Sequence, residues 1–147
     1  MRLSTKGRYG VRFMLDLAGK YGNGPVSLKD IAERQELSEK YLWHLIRLLK
    51  NAGLVHSTRG SQGGYVLAKP PEEITLKDIL LVLEGPLDIV ECVYGPRTCK
   101  RSLDCTARDV WTAVTDKILD TLESYSLAHM LKMQEQKSTS RISDYSI

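Results

Sequence analysis

Long apolar runs are missing from this chain. The longest, Ile79-Leu80-Leu81-Val82-Leu83, stops at Glu84, far short of the ~20 residues that cross a bilayer, so no membrane partner is expected. Aromatic side chains are scarce, with one Phe and two Trp, and aliphatic residues must fill the core. Cysteine is scarce and odd in number: three, with no CxxC pair. That argues against a closed disulfide framework and matches a structural zinc knuckle poorly. The three histidines, His44, His56 and His129, all lie away from the cysteines in sequence, so a thiol enzyme would have no base at hand. The opening MRLSTKGRYG is basic with no apolar stretch behind it, unlike a secretion signal. A reducing cytoplasmic setting is expected, where clustered cysteines more often serve metal or redox chemistry.

What is present is unevenly spread. Residues 1–68 hold 11 Lys/Arg against 5 Asp/Glu, and residues 69–147 hold 10 against 13. The first half therefore attracts polyanions and the second does not. Ser4 precedes a helical pattern in which Tyr9, Phe13, Met14, Leu17 and Ala18 form one stripe. Gly22-Asn23-Gly24-Pro25 ends it. Ser27 caps a short second helix carrying Ile31 and Ala32, the chain turns near Glu36-Leu37, and Ser38 caps a third. In the third, Leu42, Leu45, Ile46 and Leu49 mark the buried side, while Lys40, Trp43, His44, Arg47 and Lys50 lie mostly off it. Two short helices around a tight turn, the second presenting basic and aromatic side chains, form the helix-turn-helix pattern.

The stretch LVHSTRGSQGGYVLA then alternates before and after Gly60, Gly63 and Gly64, the pattern of a β-hairpin with a glycine-rich tip. A hairpin in this place is a wing, and its tip residues Arg59, Gly60 and Gln62 can approach a phosphate or a groove. Pro70-Pro71 separates it from a helix opened by Thr75 and closed by Gly85-Pro86. From Ala107 to Leu131 one long helix is expected, with Trp111, Val114, Ile118, Leu122 and Tyr125 along one side. The simplest cover for that stripe is a second copy of the chain; the alternative is that the helix folds back on its own domain. After Met133 the sequence is polar and Ser-rich, and fraying is expected. The expected fold is mainly α with a small β-hairpin. Residues 1–85 form a winged helix-turn-helix domain, 86–106 a cysteine loop, 107–133 a dimerisation helix and 134–147 a flexible tail.

Cys92, Cys99 and Cys105 all fall in the loop, separated by six and five residues. Such gaps permit a loop that wraps a larger inorganic unit, and thiolates suit iron–sulfur clusters, which need four protein ligands. The loop supplies three. Glu91, Asp104 and Asp109 are local oxygen donors, and a group from elsewhere or from a second copy is an alternative. The other reading is three ordinary cytosolic thiols.

Together the opening MRLSTKGRYG, the segment SEKYL, the wing RGSQGGYVLA and the segment EGPLDIVEC resemble the IscR/CymR/NsrR family of bacterial winged-helix regulators, over nearly the whole chain up to the tail. The RG-x-x-GGY wing is the most specific piece. The resemblance implies a cytoplasmic homodimer that binds double-stranded operator DNA. The three loop cysteines bring it nearest to the IscR-like branch. That implies a cluster, 2Fe–2S in preference to 4Fe–4S, on Cys92, Cys99 and Cys105, with cluster-delivery proteins as further partners. A cluster-free, CymR-like regulator governed by a protein partner or thiol oxidation is the alternative.

Two features depart from the IscR branch: Arg108 stands where a His completes the metal site, and Trp43-His44 stands where a Glu-Gln pair reads the operator. Arg8 stands where the NsrR-like pattern has an acidic ligand. Ser38, Lys40, Tyr41, Trp43 and His44 are expected in the major groove, and Arg2, Lys6, Arg47 and Arg59 on phosphates. A dimer so built reads half-sites about one helical turn apart.

Overall fold

The computed structural model describes residues 1–145. The chain runs through α1 (Thr5–Gly19), α2 (Leu28–Gln35), α3 (Glu39–Asn51), β1 (Val55–Thr58), β2 (Gly64–Leu67), α4 (Leu76–Glu84), α5 (Thr106–Glu123) and α6 (Leu127–Asp144). Single turns of 3-10 helix occur at Pro71–Glu73, Glu91–Val93 and Pro96–Thr98. The winged helix-turn-helix expected from the sequence is present. None of the helices among the described residues is long and apolar enough to cross a membrane.

Local chemistry sets the boundaries. The Ser27 hydroxyl accepts from the Asp30 N–H (3.1 Å) to start α2, and Ser38 accepts from the Tyr41 N–H (3.1 Å) to start α3. Each satisfies an amide that the helix itself cannot. Between them Glu36 adopts a left-handed conformation, φ 55°, and the Leu37 N–H reaches back to the Ala32 carbonyl at 3.0 Å. That closure turns the chain within three residues. Thr75 and Asp78 cap α4 reciprocally, at 3.2 and 2.9 Å.

Phe13, Met14 and Leu17 of α1, Ile31 of α2, and Leu42, Leu45, Ile46 and Leu49 of α3 are buried in one core with Ile79 and Leu83 of α4. Each such aliphatic side chain removed from water contributes ~1.5–3 kcal/mol. The hairpin pairs Val55 with Leu67 and Thr58 with Gly64. Val26 adds a short third edge, exchanging backbone hydrogen bonds with Tyr65 at 3.0 and 2.8 Å.

The C-terminal half departs from the expectation of one helix over 107–131. The chain breaks at Ser124–Ser126, giving two helices rather than one rod. The break is specified by pairing: the Leu76 N–H donates to the Tyr125 carbonyl (2.8 Å) and the Leu127 N–H to the Ile74 carbonyl (2.9 Å). Ser126, in extended conformation, then caps α6 by accepting from the His129 N–H at 3.1 Å. Leu127 is fully buried in the same core as α1 to α4, and Leu131 packs at its edge. The last helix therefore returns to the winged domain and packs on α1. The tail expected to fray beyond Met133 is helical to Asp144. Its final two residues lie outside the described ones.

Candidate nucleic-acid interface and cysteine loop

The hydrophobic stripe of α3 faces the core, so the rest of its circumference is presented outward. Lys40, Trp43, His44, Arg47 and Lys50 are all exposed. Trp43 keeps 47% of its surface open. The Arg47 guanidinium lies 5.4 Å from the centre of its ring and His44 meets it edge-on at 5.7 Å. An indole left this open within a cationic surround does not belong to a core. Ser38 is exposed, with its hydroxyl engaged in the cap.

Tyr41 is turned away from that surface. It is half-buried, meets Tyr9 of α1 edge-on at 5.9 Å, and its hydroxyl is buried with no hydrogen-bond partner among the described residues. One residue before Leu42 and four before Leu45, it lies on the core side of the helix.

Arg59, Gly60 and Gln62 are exposed at the wing tip, where Gly60 holds φ 116°, a conformation only glycine adopts without strain. Lys50 donates to the Ser57 hydroxyl at 2.8 Å, tying the end of α3 to β1. Arg2 and Lys6 are exposed at the start of α1, and α1 packs on both α3 and β2. The three stretches thus belong to one packed unit.

A polar cluster that sequence reasoning missed braces this unit. Arg34 of α2 grips Asp16 of α1 with two hydrogen bonds (2.7 and 3.0 Å), Gln35 adds a third at 2.9 Å, and Arg12 holds the Gln35 carbonyl at 2.6 Å. Burial pushes the Asp16 carboxyl up, but the hydrogen bonds from Arg34 and Gln35 and the nearby cations outweigh it, holding it below the ordinary aspartate value. Arg34 is raised by the same bond. Residues eighteen apart on different helices leave no signal in local spacing.

The cysteine loop joins α4 to α5. Cys92 and Cys105 are half-buried and Cys99 is exposed, all with free thiols. Among the described residues no three of His, Cys, Asp and Glu stand close enough to hold a metal ion. In donor chemistry three thiols suit iron; in number they fall one short. Arg108 donates to the carbonyls of Cys92 (2.8 Å) and Val93 (3.3 Å). The histidines belong to α3, β1 and α6.

On α5, Trp111 and Val114 are exposed and Ile118 and Leu122 half-buried. Val110, Val114, Ile118 and Leu122 line an open apolar groove of about 570 Å³. Tyr125 falls past the helix end, stacked on His129 at 5.1 Å.

Comparison with known proteins agrees with this architecture. Residues 3–133 match the family model described as "Rrf2: Iron-dependent Transcriptional regulator". The HTH-type transcriptional regulator CymR of Bacillus subtilis is 50% identical over 127 residues, 86% of this chain and 92% of its own. The solved structure of CymR, the global cysteine regulator of that organism, superposes with a TM-score of 0.77, at 43% identity, over 90% of this chain and 98% of its own. A structure of T. potens IscR does so at 0.76, with 47% identity, over 93% and 90%. The transcriptional regulator IscR of Photorhabdus laumondii is 39% identical over 135 residues, 92% of this chain and 82% of its own.

Proposed function

This chain belongs to the Rrf2 family of transcriptional regulators, and from that premise we propose that it works in the cytoplasm as a homodimer that grips operator DNA with α3 and the wing, under control of the cysteine loop. It is a regulator, not an enzyme. The observation that carries the proposal is the outward face of α3, where Lys40, Trp43, His44 and Arg47 stand exposed beside a wing tip bearing Arg59 and Gln62. Trp43 and His44 offer contacts to base edges, Ser38 and Lys40 flank the helix start, and Arg2, Lys6, Arg47 and Arg59 hold phosphates. Two copies paired along α5, through Trp111, Val114, Ile118 and Leu122, present two reading heads to two half-sites.

The signal enters at Cys92, Cys99 and Cys105. In the IscR-like reading these thiols hold an iron–sulfur cluster, 2Fe–2S in preference to 4Fe–4S. Identity of 47% to the solved T. potens IscR supports it. When bound, such a cluster supplies a redox-sensitive anchor for the loop at the root of α5. The CymR-like reading, control by a partner protein or thiol oxidation, is favoured by Arg108, which occupies itself with backbone carbonyls instead of offering a ligand.

One preparation separates the readings. Protein purified without air is assayed for iron, sulfide and visible absorbance. Its affinity for duplex DNA carrying candidate operators is measured against salt, before and after chelation. Operator binding with log K falling steeply in log salt is expected, since ~6–10 phosphates are neutralised per dimer. A flat salt dependence overturns the DNA-binding surface. Iron-free protein with full, thiol-sensitive binding overturns the cluster alone.

A further inference from the structure

The first turn of α1 lacks a cap of its own. Ser4 sits at the capping position, yet its hydroxyl accepts no bond from the helix. The four leading amides of a helix need partners from elsewhere. Here two of them are met from the other end of the domain. A single carboxylate oxygen, Oε1 of Glu84, accepts from the Ser4 N–H at 2.8 Å, the Ser4 hydroxyl at 2.7 Å and the Gly7 N–H at 3.1 Å. Glu84 is the last residue of α4, eighty positions away. A carboxylate against a helix N-terminus also gains from the helix dipole.

The seat for this carboxylate is cut in the facing helix. Gly7 and Gly10 are buried. A Cβ on Gly7 would collide with Glu84 Oε1, and one on Gly10 with the Leu83 side chain. Glycine in a helix interior costs about 1 kcal/mol relative to alanine. Two of them, one turn apart on the same face, are explained by this close approach of α4.

We infer that Glu84 is a positioning residue for DNA binding. It anchors the backbone at Ser4 and Gly7 and so fixes the direction in which Arg2 and Lys6, exposed on either side of Ser4, leave the domain. The inference rests on the proposed function, in which those two cations hold phosphates. Glu84 itself touches no DNA. Its contribution is to hold two cations in place, so that binding does not have to order a loose arm.

The test is the salt dependence of operator affinity in four full-length proteins: wild type, Glu84→Ala, Arg2→Ala/Lys6→Ala, and the three changes combined. Arg2 and Lys6 together represent about four phosphate contacts per dimer, worth about 3.6 in the slope of log K against log salt. The Arg2/Lys6 variant loses slope of that order, Glu84→Ala loses much of the same amount, and the combination loses no more than the Arg2/Lys6 variant. Glu84→Gln, which keeps the accepting oxygen, retains the wild-type slope. A wild-type slope in Glu84→Ala, or losses that add in the combined variant, overturns the positioning role while leaving DNA binding intact. A wild-type slope in the Arg2/Lys6 variant overturns the assignment of those cations to phosphates and this inference with it. If Glu84→Ala does not fold, Glu84→Asp, which shortens the reach by one methylene, takes its place. A reduced slope supports the role and an unchanged one overturns it.

Discussion

The Arg108 Nε–H donates to the carbonyl oxygen of Cys92 at 2.8 Å, and a second guanidinium N–H reaches the Val93 carbonyl at 3.3 Å. The first turn of α5 thereby clasps the turn that carries the first of the three thiols. Arginine has donors only, so it cannot serve as a ligand here, yet it orders the loop by another chemistry.

Replacing Arg108 by Ala removes both bonds and leaves two carbonyls to water. Bonds from a charged donor to a half-buried acceptor contribute about 1–2 kcal/mol, so local opening at Cys92 should rise about 5–30-fold. Alkylation of Cys92, followed by peptide mass spectrometry, should accelerate by that factor. Cys99, already exposed, should react at its original rate and serves as the internal control. Equal rates at Cys92 in both proteins would show that the clasp does not hold the turn.

The Asp16–Arg34 pair predicts an acid-sensitive brace between α1 and α2. The Asp16 carboxyl is depressed below its ordinary value of 3.8. A group whose pKa is lower folded than unfolded contributes stability that is complete above the unfolded value and is lost as pH falls through the folded one. The contribution should therefore be constant near neutrality and begin to decline as pH falls below about 4. Asp16→Asn should cost about 1 kcal/mol at pH 7, with the exposed Arg34 partly screened. Denaturant titrations should show a smaller wild-type advantage at pH 3 than at pH 7.

Gly64 marks where β2 passes the backbone of Val26. A Cβ there would collide with the Val26 carbonyl, and backbone cannot give way as a flexible side chain can. Gly64→Ala should destabilise by about 1–3 kcal/mol, read as a lower midpoint in urea. Gly60→Ala meets open space but a φ of 116°, so its cost is backbone strain alone, on the order of 1 kcal/mol. A larger loss at Gly60 than at Gly64 would contradict the close approach.

Most of the winged domain was legible because its signals are local. Ser27, Ser38 and Thr75 announce helix starts, Gly60 and Gly63 the hairpin tip, and the leucine spacing of α3 names its own buried face. Trp43 was legible as an outward residue for the same reason. Tyr41 was not: its neighbour Tyr9 lies on another helix, and a phenol next to a cap can face either way. The break at Ser124–Ser126 was hidden because serine is tolerated within helices and the partners that stop α5, Ile74 and Leu76, lie fifty residues away. The glycine seat for Glu84 was hidden for the same reason, since Gly7 and Gly10 are explained only by what packs on them. The cysteine spacing was plain, but spacing alone does not say whether a loop is closed by metal or by Arg108.

The exposed side of α5 makes the last prediction. Val110 is 51% exposed, Trp111 41% and Val114 40%, and Val110 and Val114 line a groove with Ile118 and Leu122. In the proposed dimer two such faces meet, and a charge inserted there is stranded away from water, so Val114→Asp should shift the protein from dimer to monomer in sedimentation. Because Val114 faces outward in the single chain, circular dichroism should stay near wild type. DNA binding should suffer without any change to the reading head, since two tethered heads engage a two-part operator far more tightly than one. Loss of that linkage should weaken affinity for the full site by about 10²-fold or more, while binding to a single half-site stays unchanged. A monomer that still binds the full operator at wild-type strength would mean that the two heads are not joined through α5.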